Sequence, residues 1–273
     1  MPAIRLKYII IMSNRRKGIL LAGGSGTRLL PLTKYVCKQL LAVYDKPLIY
    51  YPLYTMAKAG VKDILIISTP ETTPILEANL KDGKDIGLNL SYKVQEKPEG
   101  IAQAVLIGEE FIEDSQFCLF LGDNLFYGNQ LEKVVREASR SDENVIFGYP
   151  VSDPKRYGVV EFDENDNVLS IEEKPECPKS NYAVPGIYFY NNEVVALAKE
   201  LKPSARGELE ITDLNKLLLS QNKLKMKRIG VGNAWFDCGT HQSLNDASNF
   251  VRMIEERTGV KISDIEGLGK KAK

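Results

Sequence analysis

Short apolar runs alternate with amphipathic stretches through the first half of the chain. Residues 17–22, 63–68 and 117–121 are continuous apolar runs, the pattern of strands buried on both faces. Residues 88–95 alternate and read as a strand, and residues 145–149 read as another. Between these runs the spacing predicts helices over 47–59, 71–80, 101–110 and 131–139. Lys46-Pro47 places a proline in the first turn of the first helix, and Gly60 ends it. Strand and helix in this order imply parallel β-α-β units with helices on both faces of a sheet. Right-handed crossovers then bring the loops after the strands to one sheet edge, where ligands bind in such folds. The loops at 23–33, 96–100 and 122–124 all follow strands.

The second half changes character. Strands at 157–162 and 168–173 flank the polar turn Asp163-Glu-Asn-Asp-Asn167 and form a hairpin. A strand is expected over 182–190, helices over 191–201 and 210–221, and a strand over 224–229. Thr240 is placed to cap a helix from His241 to about residue 256. The basic stretch 267–273 reads as a frayed end. No repeat or low-complexity linker divides the chain, so the halves are expected to share one sheet. The expected fold class is α/β: a Rossmann-like, mixed but mainly parallel sheet with helices on both faces. One domain spans 17–261, preceded by an extension at 1–16 and followed by a tail at 262–273.

Composition narrows the function. With 273 residues the chain can bury a core without disulfide or metal staples. Lys+Arg and Asp+Glu both number 36, which argues against a protein that holds nucleic acid by bulk charge. Four separated cysteines without a C-x-x-C pair suit reduced thiols in the cytoplasm. A single histidine, His241, removes most zinc sites and argues against a Ser-His-Asp triad, and a structural role is expected for it. No apolar run approaches the ~20 residues of a membrane helix. The apolar run Tyr8-Ile-Ile-Ile-Met12 is shorter than a signal-peptide core, and Arg15-Arg16 follows it, the wrong order for a twin-arginine signal. Residues 1–16 read either as an upstream extension, with Met12 as an alternative start, or as an added edge strand.

The candidate chemistry begins at Gly23-Gly-Ser-Gly-Thr-Arg28. Glycines let backbone N–H groups crowd an anion, and Arg28 adds a planar permanent charge suited to phosphate oxygens. A glycine-rich turn alone is as often a plain turn. Here no Gly-Lys-Ser/Thr follows, and Leu29 stands where a dinucleotide fingerprint needs its third glycine. Arg28, then Lys38 with Gln39, tip the reading toward a triphosphate. Asp123 and Asp237 singly read as turn formers or caps; together they offer hard oxygen ligands suited to Mg²⁺ on phosphates. By composition alone Glu172-Glu173-Lys174 is a solvated strand end. Trp235 and the tyrosines are assigned to the core, and Cys238 to packing.

The ordered segments Gly23-Gly-Ser-Gly-Thr-Arg-Leu29, Pro31-Leu-Thr33, Lys38-Gln-Leu-Leu41, Tyr44-Asp-Lys-Pro47, Val94-Gln95 and Leu121-Gly-Asp-Asn124 continue with Arg156-Tyr-Gly-Val-Val-Glu161, Glu172-Glu-Lys-Pro175, Lys179-Ser-Asn-Tyr-Ala183, Arg206-Gly-Glu-Leu-Glu-Ile-Thr-Asp213 and Ala234-Trp-Phe-Asp237. Together they resemble the sugar-1-phosphate nucleotidylyltransferases, most nearly their thymidylyl-transferring branch. The likeness runs from Lys17 to about Lys261. It implies the reaction of dTTP with α-D-glucose 1-phosphate to give dTDP-glucose and pyrophosphate, with Mg²⁺ as cofactor. It also implies a cytoplasmic homo-oligomer, dimer or tetramer, without nucleic-acid or membrane partners. The nucleotide-binding part would cover about 17–150 and the sugar-binding part about 151–261.

The resemblance assigns Arg28, Lys38 and Lys174 to catalysis, with Lys174 on the sugar phosphate. It assigns Leu21, Gly23, Gly24, Gly26, Thr27, Gln39, Gln95, Pro98, Gly100 and Asp123 to the nucleotide. It assigns Tyr157, Gly158, Glu173, Lys174 and Val184 to the sugar, and Asp123 and Asp237 to the metal. Three departures accompany it. Ala42 replaces a usual proline, Pro185 follows Val184 where threonine is common, and the sequence stops soon after Val260-Lys-Ile-Ser263. Longer members continue into a helical segment that helps form a regulatory nucleotide site, so weak or absent feedback inhibition is expected. Competing readings are a UTP-using or other-sugar enzyme, a catalytically silent sugar-nucleotide-binding regulator, and a dinucleotide-dependent oxidoreductase, which Leu29 disfavours.

Overall fold

The computed structural model describes residues 16–24 and 26–272. The readings for residues 1–15, including the Tyr8–Met12 run and the Met12 start, and for Ser25 fall outside the described residues. In chain order the strands and helices are β1 (Lys17–Leu21), β2 (Ala42–Val43), β3 (Lys46–Pro47), α1 (Tyr50–Lys58), β4 (Asp63–Ser68), α2 (Thr73–Leu80), β5 (Asn89–Val94), α3 (Gln103–Ile107), α4 (Glu109–Ile112), β6 (Phe117–Leu121), β7 (Asn124–Tyr127), α5 (Asn129–Arg140) and β8 (Asn144–Pro150). They continue with β9 (Gly158–Phe162), β10 (Val168–Glu173), β11 (Tyr182–Ala183), β12 (Ile187–Tyr190), α6 (Glu193–Glu200), α7 (Ile211–Ser220), β13 (Leu224–Arg228), β14 (Ala234–Asp237), α8 (His241–Thr258) and α9 (Ile265–Ala272).

Ten strands form one sheet in the order β10-β9-β11-β8-β12-β6-β1-β4-β5, with β13 beside β8. The strands β5, β4, β1 and β6 are mutually parallel. β12 inserts antiparallel between β6 and β8. The halves therefore share one mixed sheet, as the uninterrupted pattern predicts.

Period-two alternation decides which face each side chain joins. Leu20, Ile64, Ile66, Phe120, Phe147 and Phe189 pack on one face with α1, α2 and α5. Ile19, Leu65, Ile67, Leu119, Ile146 and Tyr188 pack on the other with α3, α6 and α7. A third cluster gathers Leu29, Val43, Leu48, Tyr51 and Leu125 under Leu244, Ala247 and Val251 of α8.

Four elements differ from expectation. Lys46-Pro47 does not open a helix; it pairs with Ala42–Val43 as a small hairpin, pinned where the Tyr51 hydroxyl donates to the Val43 carbonyl at 2.8 Å. The helix then starts at Tyr50. The strand expected over 182–190 splits in two around Pro185, because proline has no N–H for a ladder. The helix expected over 101–110 breaks at Gly108, where a Cβ would stand 2.6 Å from Ile19 Cδ1. The stretch expected to fray is a helix, α9: Ile265 is buried in the core, and Gly269 sits so close to the Asp85 carbonyl that a Cβ would lie 2.0 Å from it. Glycine lets the helix seat there.

Arg16, at the end of the expected extension, is inserted into the edge of the sheet. Its guanidinium donates to the carbonyls of Ser139, Phe117, Tyr190 and Ser141 at 2.7–3.0 Å. Among the described residues no helix is long and apolar enough to cross a membrane. All four cysteines are free, and Cys118 and Cys238 are buried.

Candidate active site

The glycine loop leaves the carboxyl end of β1 at the sheet edge. The Ala22 N–H donates to the Ile67 carbonyl at 2.7 Å, carrying the ladder one residue beyond β1. At Gly23 a Cβ would fall 2.7 Å from Gln95 Oε1, so glycine lets the loop lie against that side chain without displacing it. Gly24 and Gly26 have φ of +100° and +60°, the left-handed region that favours glycine. Residues 27–29 form a tight turn that projects Arg28 and buries Leu29. The Thr33 hydroxyl ties the loop by donating to the Gly26 carbonyl at 2.8 Å.

Asp123 follows β6, the strand paired directly with β1. The adjoining β7 pairs antiparallel with β14, setting Asn124 opposite Asp237. The Cys238 N–H donates to the Asp123 carbonyl at 3.0 Å. The two aspartates thus reach one place through a strand pair that the sequence reading did not predict. Lys38 forms an ion pair with Asp123, and Asn124 Nδ2 donates to Asp123 Oδ1 at 2.7 Å. Burial pushes the Asp123 carboxyl up, but the Lys38 charge and hydrogen bond, with Asn124, hold it below its ordinary value. Asp237 is pushed above its ordinary value by burial and then by the Asp123 charge; Arg28, Lys38 and Arg156 offset this only in part. One carboxylate is firmly ionised and its neighbour carries uncompensated charge, an arrangement that suits a hard divalent cation. Among the described residues no third acidic, histidine or cysteine ligand joins them, so phosphate or water oxygens would complete such a sphere.

Two cavities meet at this centre. One, about 330 Å³, is lined by Leu21, Gly23, Gly24, Arg28, Gln95, Pro98, Gly100, Ile101, Leu121, Asp123 and Glu208. The other, about 280 Å³, includes Arg28, Asp123, Asn124, Arg156, Tyr157, Gly158, Glu173, Lys174, Val184, Thr212, Asn215, Trp235 and Asp237. Arg28, Ile101, Leu121 and Asp123 line both.

In the first cavity Gln95 is buried, and its Nε2 donates to Gln103 Oε1 at 2.6 Å. The loop carrying Gly100 is stitched to Leu209, which donates to the Glu99 carbonyl at 2.7 Å and accepts from the Ala102 N–H at 3.1 Å. Gly100 has φ +106°, and a Cβ there would stand 2.4 Å from the Leu209 carbonyl oxygen. Gly100→Ala should therefore raise KM for the nucleotide and cost more than about 1 kcal/mol, readable by steady-state kinetics beside thermal unfolding.

In the second cavity Glu173 accepts from the Thr212 hydroxyl at 2.6 Å, with Lys174 Nζ and Arg206 Nη2 each 3.6 Å from its other oxygen. The Val184 N–H donates to the Gly158 carbonyl at 2.8 Å, and the Lys174 N–H to the Tyr157 carbonyl at 3.0 Å. Tyr157 lies against Trp235, with ring centroids 5.0 Å apart.

Every residue expected at the sugar lines one cavity. Leu21, Gly23, Gly24, Gln95, Pro98, Gly100 and Asp123 line the other. Gly26, Thr27, Lys38 and Gln39 line neither. Gly26 and Thr27 shape the turn under Arg28, and Lys38 is spent on Asp123. Gln39 is buried, with Nε2 donating to the Gly23 carbonyl at 3.2 Å, so its amide braces the glycine loop.

Trp235, assigned to the core by sequence, lines the cavity that holds Glu173 and Lys174 and donates to Asn124 Oδ1 at 2.6 Å. Arg156, Thr212, Asn215 and Glu208 were also missed. Thr212 and Glu208 belong to the segment Arg206–Asp213, which matched the signature motif but whose residues carried no chemical signal of their own.

The sequence pattern that defines the nucleotidyl transferases matches residues 17–253, from β1 into α8. The chain belongs to the nucleotidyl transferase family. It is 53% identical over 251 residues to the glucose-1-phosphate thymidylyltransferase of Neisseria gonorrhoeae, covering 92% of this chain and 87% of that one. It is 52% identical over 256 residues to the enzyme of that name from Mycolicibacterium smegmatis, covering 94% and 89%. A Bacillus anthracis protein assigned to the same activity, solved with sucrose, superposes with TM-score 0.81 at 38% identity, covering 92% of this chain and 99% of that one. A UDP-glucose pyrophosphorylase solved with UDP-glucose superposes with TM-score 0.77 at 26% identity, covering 88% and 99%. Proteins whose names differ in nucleotide thus share this fold.

Proposed function

We propose that this nucleotidyl transferase joins dTTP to α-D-glucose 1-phosphate, giving dTDP-glucose and pyrophosphate. The observation that carries the reading is the pair of cavities meeting at Arg28 and Asp123, one lined by the glycine loop and Gln95, the other by Glu173 and Lys174. An oxygen of the sugar phosphate attacks the α-phosphorus of dTTP. The bond from that phosphorus to the bridging oxygen breaks, and pyrophosphate leaves in line. The attacking oxygen is already ionised, so no protein base is required. The protein's task is to align two polyanions and neutralise them.

In this reading Arg28 faces the leaving pyrophosphate and Lys174 holds the sugar phosphate. Glu173, oriented by Thr212, accepts hydrogen bonds from sugar hydroxyls. Gln95 and the Gly100 backbone read the pyrimidine edge. Lys38 keeps Asp123 ionised and placed. Asp123 and Asp237 would hold Mg²⁺, which when bound supplies charge neutralisation to the phosphates. The enzyme is read as a cytoplasmic homo-oligomer.

The test is pyrophosphate release across four nucleoside triphosphates and several hexose 1-phosphates. The expected result is kcat/KM for dTTP about tenfold or more above UTP, with glucose 1-phosphate preferred. Equal or better use of UTP would favour the UTP-using reading. Release with no combination would favour a binding regulator.

A further inference from the structure

The turn that carries Arg28 is docked on one end of α8 through three consecutive residues. At Gly239, between Asp237 and the helix cap, the place of a side chain is already taken. A Cβ there would lie 2.7 Å from Arg28 Nη2 and 2.9 Å from Asp237 Oδ1. Leu29 is fully buried in the cluster formed with Leu244, Ala247 and Val251 of α8. The Leu30 carbonyl lies 2.9 Å from His241 Nε2, which donates to it. The platform is itself fixed: the Thr240 hydroxyl accepts from the Ser243 N–H at 3.2 Å, and Ser243 Oγ accepts from the Thr240 N–H at 3.1 Å.

Arg28 has no ion pair or hydrogen bond of its own among the described residues. A free arginine side chain samples many rotamers, and ordering it during the reaction would raise the barrier. We infer that Gly239 and His241 are positioning residues: the bare backbone at Gly239 leaves the slot in which the Arg28 guanidinium rests beside Asp237, and His241 holds the Arg28 turn in register with that slot. This inference rests on the proposed role of Arg28 in nucleotidyl transfer. Gly239 does not have a positive φ, so alanine there meets no backbone strain. The atoms nearest the added methyl are the ends of the Arg28 and Asp237 side chains, which can move aside.

The experiment is a double-mutant cycle read by pyrophosphate release. Gly239→Ala should lower kcat by about tenfold to a hundredfold, with an unchanged melting temperature and KM for glucose 1-phosphate. In an Arg28→Ala background the same substitution should cost no more than about twofold further, because its target is gone. A wild-type rate for Gly239→Ala overturns the inference. So does a loss that multiplies in full on Arg28→Ala, which would mean that Gly239 acts through Asp237 or the fold. Arg28→Ala at normal speed would strike the role of Arg28 itself and leave nothing to position. His241 supplies an independent arm should Gly239→Ala fail to fold. His241→Gln, which keeps an N–H donor, should retain the rate, and His241→Ala should lose about threefold to tenfold; equal rates for the two overturn the inference.

Discussion

Arg28→Ala is expected to lower kcat by about 10²–10³, with the melting temperature unchanged. The guanidinium lines both cavities, and in the proposed reaction it faces the departing pyrophosphate. Charge builds on the leaving group as the reaction proceeds, so a fixed cation there stabilises the transition state more than bound dTTP. The loss should therefore fall on kcat more than on KM. Arg28→Lys should recover little, because an ammonium cannot present the planar fork that meets two phosphate oxygens. Rates are checked by pyrophosphate release and folding by circular dichroism. A loss confined to KM would place Arg28 on the ground-state triphosphate alone.

Asp237→Asn should raise the Mg²⁺ concentration for half-maximal rate by at least about tenfold. It should also leave the metal-free protein no less stable at pH 7, and these two effects have one cause. The folded-state pKa of Asp237 is raised, by burial first and by Asp123 second, so its ionised form costs stability once pH exceeds its unfolded value. An amide removes that cost together with a proposed metal ligand. Asp123→Asn should behave differently. Its carboxyl is held below the ordinary value by Lys38, so its charge stabilises the fold above the unfolded pKa, and removing it strands a mostly buried ammonium. Melting in EDTA separates the two variants: Asp123→Asn should melt lower than wild type and Asp237→Asn should not. A lower melting temperature for Asp237→Asn would mean that its charge is already balanced without metal.

Periodicity located the strand ends that carry the glycine loop, Gln95 and Glu173-Lys174. The glycines and Arg28 carried a chemical signal of their own, whereas Gln95, Glu173 and Lys174 were picked out only by the family resemblance. What could not be read was the pairing of β7 with β14. Leu125-Phe-Tyr127 gives a short apolar stretch with no alternation of its own, and its partner lies far along the chain. That pairing carries Asp237 to Asp123 and makes Trp235, assigned to the core by sequence, a wall of the cavity that holds Glu173 and Lys174. The placement of Gln39 was not legible either: its amide is buried and reaches back sixteen residues to the Gly23 carbonyl, a contact no local pattern contains. The tail was misjudged because its lysines look solvated, whereas Ile265 and Gly269 seat it against the core.

The sequence by itself determined the class of fold, the sheet edge where ligands bind and the kinds of charge brought to phosphate, because periodicity and glycine freedom act within a few residues. The tertiary structure alone decided which distant carboxylates share one point, which polar side chains are spent on the scaffold, and how the Arg28 turn is held. Those outcomes follow from the register and burial of segments far apart in the chain, and no short window contains both partners.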